Sequence, residues 1–103
     1  MNLERKIKMG SNYYNSRQEL IRKYVGELID EGLNRMKDRY LSDEMYNLWL
    51  NHSERILEIS TKDYNPEIYL NYLRVVMSLD VKLPPHQKIS ICLEYLIGVL
   101  RIV

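Results

Sequence analysis

The residues best suited by type to chemistry are His52, His86, Cys92 and the carboxylates spread over residues 24–63. A metal site needs three or four ligands at close, fixed spacings. The two histidines and the cysteine have no such neighbours, so the sequence predicts no metal and no cofactor. A nucleophilic cysteine needs a lowered pKa and an adjacent base. Cys92 sits inside the most apolar run of the chain, Ile89 to Val103, with neither nearby, and reads as a buried structural thiol. Acid–base catalysis by paired carboxylates needs an apolar pocket, whereas the acids here belong to charged, solvated helix faces. There is no glycine-rich phosphate loop and no nucleophile elbow. The expectation is a protein without enzymatic activity and with no small-molecule substrate. His52 falls on an apolar seam and reads as a core or boundary residue. His86 follows two prolines and reads as solvent-exposed.

Basic and aromatic residues near the N-terminus suggest a different chemistry. Arg5, Lys6, Lys8 and Arg17 flank Tyr13 and Tyr14, and phosphate contacts with base stacking call for these residue types. A nucleic-acid-associated regulator is therefore the alternative function. A solvated tail accounts for the same residues. No helix offers an exposed recognition face, since the third begins with Glu67 and the fourth is almost wholly apolar.

The whole chain carries a net charge of +1 over 103 residues, which gives no bulk attraction to nucleic acid or anionic membrane. A single cysteine fits a reducing, cytoplasmic setting. The N-terminus lacks the apolar core of a signal peptide. The final apolar run is shorter than the roughly 20 residues of a membrane span and contains Glu94 and Arg101. Alanine and phenylalanine are absent while tyrosine, isoleucine and asparagine are frequent, a bias that AT-rich coding imposes, as in mobile elements. Helix contacts must then be built from large side chains.

These residues have to be positioned by helices. A loose arm is expected over residues 1–15 and one helical domain over 16–103. The first helix is predicted from Arg17 to Asp38, capped by Ser16 with Glu19 completing a capping box. Leu20, Tyr24 and Leu28, beside Ile21, Val25, Ile29, Leu33 and Met36, supply its apolar rows. Gly26 and Gly32 weaken it by about 1 kcal/mol each. The second helix is predicted from Asp43 to Ile59 with Ser42 as cap and a seam of Met45, Trp49, His52, Ile56 and Ile59, widened by Leu48 and Leu57. Asn65 and Pro66 open the third helix, which runs to Ser78. Pro84 and Pro85 open the fourth. The expected fold is all-α, an antiparallel four-helix bundle with short loops and a loose N-terminal arm.

The last two helices carry only thin polar stripes: Glu67, Asn71, Arg74 and Ser78 on one, and Gln87, Ser90, Glu94, Gly98 and Arg101 on the other. A lone bundle would then expose apolar surface drawn from Tyr69, Leu73, Tyr95, Val99, Leu100, Ile102 and Val103. Monomers seldom expose large apolar patches. The leading expectation is a small protein-binding module of inhibitor, immunity or adaptor type. A homodimer is the commonest way to cover such a patch. The competing arrangement places the fourth helix centrally, wrapped by the rest.

Overall fold

A computed structural model describes the backbone from Asn2 to Val103 and the side chains from Ser16 onward. It contains four helices, α1 (Asn2–Met36), α2 (Asp43–Thr61), α3 (Glu67–Met77) and α4 (Pro85–Ile102). No strand occurs among the described residues, and Ile89 to Ile97, the stretch richest in strand-favouring side chains, is helical.

The helix boundaries follow from local chemistry. Ser42 is extended (φ −88°, ψ 163°), and its hydroxyl accepts the Met45 N–H at 3.1 Å. Asp43 and Glu44 then sit at the positive end of the α2 dipole. The Asn65 side chain accepts the Glu67 N–H at 3.2 Å at the entry to α3. Pro84 is held extended ahead of Pro85, the first residue of α4. The beginning of α1 departs from expectation. Ser16 lies within a continuous helix and is not a cap. No proline interrupts the first 36 residues, and a single glycine at position 10 costs only about 1 kcal/mol. The stretch read as a loose arm is therefore part of α1 from Asn2 onward.

Cross-helix contacts fix the directions. Arg17 reaches Asp63 at 3.2 Å, Glu31 reaches His52 at 3.7 Å and Arg35 reaches Met45 at 3.8 Å. As α1 advances its partner on α2 recedes, so the two helices run in opposite directions. The same reversal holds between α1 and α4. Arg22 donates to the main-chain oxygen of Val103, Gly32 lies against Leu93, and the His86 ring nitrogen lies 2.7 Å from the Asp38 carbonyl oxygen. Between α3 and α4, Ile68 pairs with Tyr95 and Tyr72 with Cys92.

The core is one cluster that draws on all four helices, with Ile21, Val25, Trp49, Leu57, Tyr72, Ile89 and Leu96 fully enclosed. Trp49 donates its indole N–H to the Leu28 carbonyl at 3.2 Å. Its ring lies against Gly32, where an added Cβ would stand 2.7 Å from Leu93 Cδ2 and 3.0 Å from Trp49 Cζ2. Gly32 is thus where side chains of α2 and α4 press against the α1 backbone. No Cβ fits there without displacing a neighbour.

Candidate functional site

The buried face of α2 consists of Tyr46, Trp49, Leu50, Ser53, Leu57, Ser60 and Thr61. That face is rotated from the expected seam. Trp49 and Leu57 point inward as anticipated, but Leu48 is 57% exposed and Ile59 is 58% exposed. His52 is exposed as well, so it is not a core residue. Three hydroxyl residues take the inward positions because each satisfies itself locally. Ser53 donates to the Leu50 carbonyl at 2.8 Å, Ser60 to Leu57 at 3.3 Å and Thr61 to Leu57 at 2.7 Å. A hydroxyl bonded back to its own helix can be buried at small cost.

The outward row of α2 meets α1 along a defined strip. Arg17 and Glu31 both reach across to α2, at Asp63 and at His52. Tyr24 lies seven residues from each, hence on the same stripe of α1. It faces the stretch of α2 that carries Ile56 and Ile59. Leu20 and Tyr24 on α1 and Ile59 on α2 are all exposed, while Ile56 is half-buried. The result is an apolar strip framed at one end by the Arg17–Asp63 ion pair and at the other by the Glu31–His52 contact. At Ile59 it joins a groove of about 540 Å³ between the end of α2 and the start of α3, lined by Glu58, Ile59, Lys62, Pro66, Tyr69 and Leu70. A second depression, of about 280 Å³, is lined by the polar residues Glu31, Asn34, Arg35 and Asp38 of α1 and its exit.

The residues expected to form a patch on α3 and α4 are only partly brought together. Val99, at 2% exposure, and Val103 are buried in the core, so neither can belong to a free surface. Both lie on the stripe of α4 that faces the other helices. Tyr95 is half-buried, and its hydroxyl donates to the Ile68 carbonyl at 2.5 Å. Leu100 is half-buried against the core and Leu73 is half-buried as well. Ile102 is 68% exposed. Tyr69 is the residue of that set that lines the groove, and burial together with Glu58 raises its pKa. Leu20, Tyr24, Ile59 and Leu70 read as core by their spacing and are exposed. The repetition of apolar residues on two faces of α2 was the available signal.

Arg17 is engaged with Asp63. The side chains of Arg5, Lys6, Lys8, Tyr13 and Tyr14 lie outside the described residues.

Inside the bundle, Cys92 is fully enclosed beside the hydroxyls of Tyr72 and Tyr46. Burial pushes its thiol up, against the lowering effect of those two hydroxyls, while Glu54 adds a further raising influence. Burial likewise raises Tyr72 and Tyr46 well beyond the ordinary tyrosine value. These groups hold their protons at neutral pH, so the cluster lacks a thiolate or a base. No buried side-chain nitrogen or oxygen among the described residues lacks a partner. His86 is half-buried and tied to Asp38. Among the described residues no cluster of His, Cys, Asp and Glu is arranged to hold a metal ion, and no helix is long and apolar enough to cross a membrane.

Comparison with protein-family models, with curated proteins and with solved structures finds no match for this chain.

Proposed function

We propose that this protein acts by binding another polypeptide, without chemistry of its own, through the surface that runs from Leu20 and Tyr24 across Ile59 to Tyr69 and Leu70. The observation that carries this reading is Ile59. It is a large apolar side chain, 58% exposed, where the strip between α1 and α2 opens into the α2–α3 groove. Water-exposed apolar side chains that line a groove favour a helical or extended partner segment, and tyrosines such as Tyr24 and Tyr69 suit the centre of an interface. The surface lies on α1, α2 and α3 and not on the α3–α4 face that the polar stripes suggested. An inhibitor, immunity or adaptor role in the cytoplasm, where a lone cysteine stays reduced, is the corresponding proposal for its biology.

The test is site-specific photocrosslinking in native lysate, with a crosslinking residue at Ile59 or Leu70 and a control at Asn47, an exposed position on another face of α2. A discrete protein adduct at Ile59 and Leu70 and none at Asn47 is expected. Equal labelling at all three positions, or none at any, overturns the reading.

A further inference from the structure

We draw no further inference here: the strongest candidate, the groove between the end of α2 and the start of α3, belongs to the surface already described, its bordering charges Glu58 and Lys62 are of opposite sign, and nothing in the structure shows what covers it.

Discussion

The hydroxyls of Ser53 and Tyr72 lie 2.8 Å apart in the interior, joining α2 to α3 where neither side chain has any exposure. Ser53 keeps a second bond, to the Leu50 carbonyl, so Tyr72→Phe does not leave it stranded. The substitution should lower stability by about 1 kcal/mol, the net worth of one hydrogen bond. Ser53→Val removes the partner instead and leaves the Tyr72 hydroxyl buried beside Cys92, at about 1–3 kcal/mol. Urea unfolding of the two variants tests the order; equal losses would contradict it.

Alkaline pH should destabilise the fold. Tyr46, Tyr72 and Cys92 all have raised pKa values in the native state, first of all through burial. The unfolded chain therefore loses these protons at lower pH than the native one and binds fewer of them, so stability falls as pH rises. The loss begins near the ordinary thiol value of 9.0 and deepens through the ordinary tyrosine value of 10.0. Cys92→Val should remove the earlier part of that decline in a pH series of urea midpoints. Native Cys92 should also resist a thiol reagent until denaturant is added.

Two glutamate substitutions should behave oppositely. Val99→Glu places a carboxylate in the core and is expected to abolish cooperative unfolding. Ile59→Glu changes an exposed position and should alter stability by less than about 0.5 kcal/mol. Circular dichroism melts of both proteins decide the matter. A stable Val99→Glu chain would return Val99 to the surface.

Trp49→Ala should cost about 3–5 kcal/mol, since the indole is buried and its N–H is bonded to Leu28. Trp49→Phe isolates the loss of that N–H and the smaller ring, and should fall well below the alanine figure in the same melts.

Gly32→Ala and Gly26→Ala form the last pair. Helix propensity favours alanine by about 1 kcal/mol at both sites. At Gly26 nothing lies within 4 Å of the new methyl, so the variant should gain up to that amount. At Gly32 the methyl would overlap Leu93 and Trp49, and a net loss of about 1–3 kcal/mol is expected from overpacking. Thermal melts that rank the two variants the other way would refute the close approach.

The all-helical class and three of the four helix starts were legible because caps and prolines are local signals: Ser42, Asn65, and Pro84 with Pro85. The start of α1 was not legible, because Ser16 and Glu19 form a capping pattern that a longer helix overrides. The α2 face was misread by rotation. Leu48 and Ile59 look like core, while Ser53, Ser60 and Thr61 look like surface. Only the return bonds from these hydroxyls to their own helix make the inward orientation tolerable, and composition does not reveal them. The exposed apolar residues are accordingly not those that the polar stripes suggest. Tyr69, beside such a stripe, is half-buried and lines the groove. Ile59 was assigned to the interior, and Val99 and Val103 to the exterior. Apolar spacing defines stripes on a helix but not which of two stripes finds a partner.

The notch at Gly32 works like a keyway in a shaft. In a chain without alanine, most of the core is built from large, roughly interchangeable Leu, Ile and Tyr side chains, which would mesh almost as well one turn out of step. Trp49 and Leu93 can enter only where a side chain is missing, so one vacant position indexes α2 and α4 along α1. An axial slip of either helix would drive its knob into the neighbouring Leu28 or Met36, one turn away. Enlargement at position 32 should then be tolerated only together with trimming at position 49 or 93, and compensating pairs in a randomised library of these three sites would reveal that coupling.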